Sequence, residues 1–191
     1  TMEQQGLSCC ICFNKKDLAD ETVCRQLSDS YRAAGYPVVF TSAVTKEGLP
    51  ELQRLLEGRT TTVAGPSGVG KSSLINTLQD GVSMQTGEIS RIERGRHTTR
   101  HSELIRIRPG TWIVDTPGFS SIELSGMEKE DLGRFFPEFA EWEPRCRFTG
   151  CAHINEPDCG VKEALLRGEI SESRYENYCQ LYAELKDRRK Y

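Results

Sequence analysis

No apolar run in the chain approaches the roughly 18–20 residues that a membrane-spanning helix requires, and no basic-then-apolar leader opens it, so a chain working in the cytoplasm without a membrane is expected. Charge of one sign is also scarce. The 25 Lys and Arg against 28 Asp and Glu leave a formal net charge of −3, which excludes a generally basic, nucleic-acid-coating surface but not a local contact patch. Residues 141–191 are nearly charge-balanced, which weakens any grip on RNA by the tail alone. There is no internal repeat and no low-complexity segment. The 191 residues, 37% apolar and 28% charged, suit one soluble globular domain with a small appendage.

Cysteine, by contrast, is plentiful, at eight residues. An even count in a secreted protein suggests disulfides, but the nucleotide motifs below place these thiols in a reducing cytosol. Cys9, Cys10, Cys12, Cys24 and Cys179 read as small core or surface hydrophobes. The other three stand close to a histidine. Cys146, Cys151, His153 and Cys159 spell C-x4-C-x-H-x5-C, three thiolates and an imidazole that make a closed tetrahedral set for one structural Zn²⁺. The bland reading is four unrelated residues in a loop. A tail of about 65 residues with few large apolar side chains reads as too small for a core of its own and in need of such a staple.

Residues 9–13 (CCICF) read as a fully buried strand and 37–41 (PVVFT) as a second. Between them Val23, Leu27, Tyr31 and Ala34 recur at helical spacing, with Gly35 as the stop. A second helix is expected over 47–57, a third strand over 60–64, and a helix from Lys71. Residues 81–102 are polar and aperiodic, a long loop. "ELIRIR", "PG" and "TWIVD" (103–115) form a hairpin. A short helix in "MEKEDLGRFFPEF" and two helices at 161–168 and about 171–188 close the chain. Strands alternating with helices up to about residue 124 predict an α/β fold with a mostly parallel sheet, followed by a small helical metal-binding unit from 125 to 191.

The chemistry begins at "GPSGVGKS". Gly65, Pro66, Ser67, Gly68, Val69, Gly70, Lys71 and Ser72 match the phosphate loop, between strand and helix as it must be, with Ser73 following. Backbone N–H groups curl around the phosphates, Lys71 reaches the β- and γ-oxygens, and Ser72 ligates Mg²⁺. A guanylate-kinase-like nucleotide kinase shares this loop and is the rival reading. Four further motifs favour a GTPase. Asp115 and Gly118 in "DTPG" end a strand, where one carries a Mg²⁺-bound water and the other meets the γ-phosphate. "HTTR" (97–100) lies in the loop that holds a GTPase's Mg²⁺ threonine. Ser42 and Ala43 in "TSA" and Asn14, Lys15 and Asp17 in "NKKD" supply guanine contacts, with the Ala43 N–H for O6 and the Asp17 carboxylate for N1–H and the exocyclic amine. Adenine would leave that carboxylate unpaired.

The order is unusual: guanine loops first, then phosphate loop, switch threonine and DxPG. That is the standard GTPase order cut after DxPG and rejoined, a circular permutation that the fold tolerates because sheet contacts follow spatial neighbours. The 1–124 segment is then expected to be the GTPase domain.

Permuted GTPase motifs followed by C-x4-C-x-H-x5-C resemble the bacterial ribosome small-subunit-dependent GTPase family, RsgA, over nearly the whole chain. The resemblance implies GTP hydrolysis stimulated by the small ribosomal subunit late in its maturation, with GTP and GDP, that subunit and its rRNA as partners, and a monomer. It also implies an OB-fold ahead of the GTPase domain, for which the residues before Asn14 leave no room, and five strands are read where a GTPase sheet normally has six. Phe119 stands where a GTPase keeps its water-orienting glutamine. By the resemblance His97 positions the water and Thr99, rather than Thr98, completes the Mg²⁺ shell. A bland His97 contacts RNA or solvent. Arg91, Arg94, Arg96 and Arg100 surround it, and arginines so placed more often face RNA phosphates or water than act in catalysis. A nucleotide-gated RNA-binding module with incidental hydrolysis is the alternative function.

Overall fold

Strand β1 (Ile11–Phe13) and strand β2 (Val38–Phe40) form a two-stranded sheet. The Ile11 N–H donates to the Pro37 carbonyl and the Thr41 N–H to the Phe13 carbonyl, the stagger of a parallel pair. Helix α1 (Glu21–Ala33) makes the crossover between them. The computed structural model describes residues 2–80, 103–115 and 126–187, without the side chains of Glu3, Asp80, Glu103 and Asp115. The chain divides into two compact units, one of Thr1–Ile11, Glu21–Val38 and Glu123–Tyr191, the other of Cys12–Asp20 and Val39–Ile122.

The second unit is built on strands β3 (Thr60–Thr62), β4 (Glu103–Arg108) and β5 (Thr111–Asp115) in the order β3-β5-β4. β3 runs parallel to β5, with Thr60 opposite Trp112 and Thr62 opposite Val114. β4 returns antiparallel through the expected turn, with Ile105 opposite Ile113 and an irregularity between Arg106 and Arg108. Alternation along β4 turns Ile107 inward and leaves Leu104 exposed. Helix α2 (Leu49–Leu56) contributes Leu49, Leu52 and Leu56, and helix α3 (Lys71–Asp80) contributes Leu74, Ile75 and Leu78, both at helical spacing. With Val39, Ile107 and Ile113 they form one aliphatic core. Each such side chain contributes about 1.5–3 kcal/mol by its removal from water. This core fixes the N-terminus of α3, where the phosphate loop delivers the chain.

The first unit carries helices α4 (Gly160–Leu166) and α5 (Glu172–Asp187) on a core rich in aromatics. Phe136 stacks on Phe139 at 5.3 Å between ring centroids, and Tyr178 meets both edge-on at 5.1 and 5.0 Å. Met127, Leu132, Val161, Ala164, Ile170 and Leu185 fill the space around them.

Several expectations are corrected and others are refined. The first strand is half-buried rather than fully buried, and it holds only Ile11–Phe13 of residues 9–13, because a two-stranded sheet covers little of its surface. Among the described residues the hydrogen-bonded strands form one set of two and one of three, within the α/β architecture expected. Val23 is 47% exposed and Cys24 is buried in its place, while Leu27 and Tyr31 are half-buried and Ala34 is buried at the expected spacing. The short helix expected after Gly126 is present and is of the 3-10 kind, over Lys129–Phe135, with a second 3-10 turn at Pro137–Phe139. The tail does possess its own core, made large by Phe136, Phe139, Trp142 and Tyr178 rather than by aliphatic residues.

Gly48 is a position the fold cannot alter. Its φ is 72°, and a Cβ there would lie 1.8 Å from the Phe40 carbonyl oxygen. Gly48→Ala should therefore destabilise the protein by more than about 2 kcal/mol, read as a lowered urea midpoint. An unchanged midpoint would contradict the packing of α2 on β2.

Candidate functional site

The phosphate loop joins β3 to α3 as the motif requires, with Gly65 to Gly70 exposed or half-buried and α3 beginning at Lys71. The Leu74 N–H donates to the Gly70 carbonyl, which closes the first helical turn and leaves the preceding N–H groups at the helix start for an anion. The Lys71 ammonium donates to the Gly65 and Pro66 carbonyls at 2.6 and 2.9 Å, so its stem lies across the loop. Ser72 and Ser73 are exposed.

Asn14 does more than the motif suggests. Its Nδ2 donates to the Val69 carbonyl of the phosphate loop at 3.0 Å. Its Oδ1 accepts from the Ala43 N–H and from the Thr41 hydroxyl, both at 3.3 Å. One amide therefore ties together three loops that lie far apart in sequence. Gly70 admits it: a Cβ at that position would stand 2.5 Å from Asn14 Nδ2. Lys15 adds a second tie, its ammonium donating to the Gly68 carbonyl at 2.8 Å from a left-handed backbone at φ 67°. A non-glycine residue held there indicates a loop whose conformation is imposed by its contacts.

The second loop is equally constrained. Ser42 is buried, and its hydroxyl accepts from the N–H groups of Val44 and Thr45 at 3.2 and 3.0 Å, so it caps the loop from within. The Ser42 N–H bonds the Glu47 carbonyl, the Lys16 N–H bonds the Thr41 carbonyl, and Lys16 pairs with Glu47. Asp17 sits in a 3-10 turn (Lys16–Leu18) and is exposed. Thr41, Gly48 and Glu47 are the members of this arrangement that motif reading missed. A hydroxyl followed by free N–H groups two and three residues on is the only sequence sign of the Ser42 cap.

Asp115 closes β5, so its backbone is placed as expected, while its side chain lies outside what the structure describes. His97, Thr98, Thr99, Gly118, Phe119, Arg91, Arg94, Arg96 and Arg100 also lie outside the described residues.

The four metal-ligand candidates converge. The ligand atoms of Cys146, Cys151, His153 and Cys159 all lie within 4.8 Å of one another. His153 Nδ1 is 3.6 Å from the Cys146 sulfur and 3.4 Å from the Cys159 sulfur, and those sulfurs are 3.9 Å apart. A tetrahedral zinc with bonds of about 2.3 Å to sulfur and about 2.0 Å to nitrogen needs S···S near 3.8 Å and S···N near 3.6 Å, so the donor set fits this ion. Burial pushes the Cys151 thiol up to about 12, the Cys159 and Cys146 sulfurs add to that, and burial raises Cys159 as well. Burial holds the His153 imidazole below its ordinary value, which keeps it neutral and able to ligate. A dication would reverse the penalty on the thiolates.

A supporting shell keeps this geometry. His153 itself has φ 56° and is buried, and its carbonyl accepts from the Tyr175 hydroxyl at 2.6 Å. The Tyr178 hydroxyl donates to the Ala152 carbonyl at 2.6 Å. Burial pushes both phenols up, so both remain donors. The Glu156 carboxylate accepts from the N–H groups of Ala152 and Ile154 at 3.0 and 3.1 Å. Burial opposes its charge, but these N–H groups prevail and hold it below the usual carboxylate range. None of Tyr175, Tyr178 and Glu156 carries a motif, and only the fold reveals them.

Together the fold and loops define a circularly permuted GTPase-type α/β domain followed by a small helical unit with a zinc-type ligand cluster. Residues 1–125 match the family model of the RsgA GTPase, and the chain belongs to the RsgA GTPase family. It is 63% identical over 191 residues to a small ribosomal subunit biogenesis GTPase RsgA of Agathobacter rectalis, covering 100% of this chain and 63% of that relative. It is 46% identical over 190 residues to the protein of the same name from Alkaliphilus metalliredigens, covering 99% and 65%. Among solved structures it is similar to YjeQ of Thermotoga maritima, with TM-score 0.78 at 41% identity, covering 98% of this chain and 63% of that one. YloQ, described as a circularly permuted GTPase, superposes with TM-score 0.74 at 35% identity over 95% and 58% of the two chains. The chain thus spans somewhat less than two thirds of the length of the first of these relatives.

Protein purified with zinc under reducing conditions should carry one Zn²⁺ per chain, and Cys159→Ser should lower zinc affinity by at least about a hundredfold, measured by competition with a chromogenic chelator. A metal-free parent, or a variant that retains zinc, would remove the role given to the cluster.

Proposed function

We propose that the protein binds guanine nucleotides and hydrolyses GTP in the service of small ribosomal subunit maturation, in the cytoplasm and as a monomer. The observation that carries the reading is the Asn14 amide, which holds the phosphate loop and both guanine loops in one arrangement. The family match and the relatives' names support a GTPase over a nucleotide kinase. Among the described residues no helix is long and apolar enough to cross a membrane.

In this reading Asp17 accepts from guanine N1–H and the exocyclic amine, and the Ala43 N–H and Lys15 stem line the base. Asn14 and Ser42 position these groups. Gly65, Pro66, Ser67, Gly68, Val69 and Gly70 cradle the phosphates through their backbones, Lys71 and Ser73 complete the cradle, and Gly118 meets the γ-phosphate. Ser72, Thr99 and Asp115 would hold Mg²⁺, which when bound neutralises charge between the β- and γ-oxygens. His97 orients the attacking water in place of the glutamine that Phe119 replaces. We assign residues 1–124 to nucleotide chemistry and 125–191 to a zinc-stapled docking unit, with the end of the family match at residue 125 in support. Turnover of GTP with and without purified small ribosomal subunits tests the whole reading. Stimulation by the subunit is expected, and equal rates would contradict it.

Asp17→Asn should lose GTP affinity and gain xanthosine triphosphate, because the new amide presents a donor where the carboxylate presented an acceptor. Equal binding of ATP and GTP by the parent would end the guanine assignment. His97→Ala should leave affinity nearly intact and lower subunit-stimulated turnover by on the order of ten- to a thousandfold. A fall in affinity with the rate per bound nucleotide preserved would make His97 a binding residue.

A further inference from the structure

Helix α1 follows the guanine loop directly: two residues, Ala19 and Asp20, separate the turn holding Asp17 from Glu21. Yet α1 belongs to the same compact unit as the tail, not to the unit of the nucleotide loops. Its own apolar content does not explain its order, since Cys24 is the one buried residue within Glu21–Ala33. A helix of this length without a broad apolar stripe depends on tertiary contacts.

Those contacts come from the start of α5. The Arg174 guanidinium forms a two-pronged pair with Glu138, Nε to Oε1 at 2.6 Å and Nη2 to Oε2 at 2.9 Å. The two side chains are only 14% and 5% exposed. Around the guanidinium stand the rings of Phe136, Tyr31 and Tyr36, at 5.0, 5.5 and 5.7 Å. Tyr31 lies on α1 and Tyr36 just beyond it. One turn away the Ser171 hydroxyl donates to Ser30 Oγ at 3.0 Å. The C-terminal half of α1 is thus clamped by a buried ion pair in an aromatic cage, and the next turn of α5 supplies the Tyr175 and Tyr178 hydroxyls that brace the metal-ligand loop.

We propose that this clamp makes α1 a lever between the guanine loop and the metal-stapled unit, so that nucleotide at Asp17 and order around Arg174 are linked. The linkage is reciprocal: whatever stiffens the tail raises guanine-nucleotide affinity, and nucleotide stiffens the tail. It rests on the guanine assignment of Asp17 made above, and it acts on the base side of the nucleotide, independent of the DxPG end.

The test uses the full-length, zinc-loaded protein, with GDP as the probe and hydrogen exchange and calorimetry as readouts. In the parent, GDP should slow exchange in α1 and at residues 171–178 by about tenfold. The pair Arg174→Met with Glu138→Leu removes both charges, leaving neither buried alone. In it α1 should exchange about tenfold faster, GDP affinity should fall about fivefold, and GDP should no longer protect 171–178. Tyr31→Leu, a milder change, should move the same readouts in the same direction. Parent protein in which GDP protects the phosphate loop but not 171–178 overturns the linkage, as does a variant with faster α1 exchange and parental GDP affinity. A parent that binds no GDP overturns the functional reading itself, a result distinct from either.

Discussion

Three hydrogen bonds to one side-chain amide hold the nucleotide loops in register. Asn14 donates to the Val69 carbonyl and accepts from Thr41 and Ala43, and these partners come from chain segments 27 to 55 residues away. Backbone bonds from Thr41 to Phe13 and from Lys16 to Thr41 join the first two loops, and the side chains of Asn14 and Lys15 carry the tie on to the third. Each bond contributes about 1 kcal/mol net to stability. The weight of the tie lies in geometry: it fixes the separation between the loop that carries Asp17 and the Gly65–Gly70 loop. The permuted chain order makes this tie more informative, since the Asn14 loop precedes the Gly65–Gly70 loop by about fifty residues and a long-range contact sets their spacing.

The tail answers a different constraint. Its helices are short, its turns are of the 3-10 kind, and its core is aromatic. Three thiols drawn out of water beside an imidazole are unfavourable as neutral groups and worse as anions, unless a dication neutralises them. The spacings between sulfur and nitrogen match what zinc would impose. Tyr175, Tyr178 and Glu156 then satisfy the loop's backbone, and this is how a sharply bent segment with left-handed His153 and Asp158 stays ordered.

Much of this was legible in the sequence because the chemistry is local. The phosphate loop, the hairpin about Pro109 and Gly110, and the ligand spacing of the cysteines each follow from residues within a dozen positions of one another. The misses share the opposite property. Asn14 stands among the expected nucleotide-binding residues, but its bracing of the loops depends on Val69 and Thr41, which no spacing rule connects to it. The membership of α1 in the tail's unit follows from Arg174, Tyr31 and Tyr36, a cation and two rings more than 130 residues apart in sequence. Val23 and Cys24 exchanged places because a weakly apolar helix leaves its inward face to be decided by its neighbours. The tail's core was underestimated because aromatic residues in turns carry no periodicity.

The most direct test of the account is calorimetric titration of Asn14→Ala with GDP. Removal of the amide frees the Val69 carbonyl and the Ala43 N–H and lets the three loops drift, so affinity should fall by about a hundredfold, alongside a lowered unfolding midpoint. Parental GDP affinity in that variant would contradict the claim that this side chain sets the site.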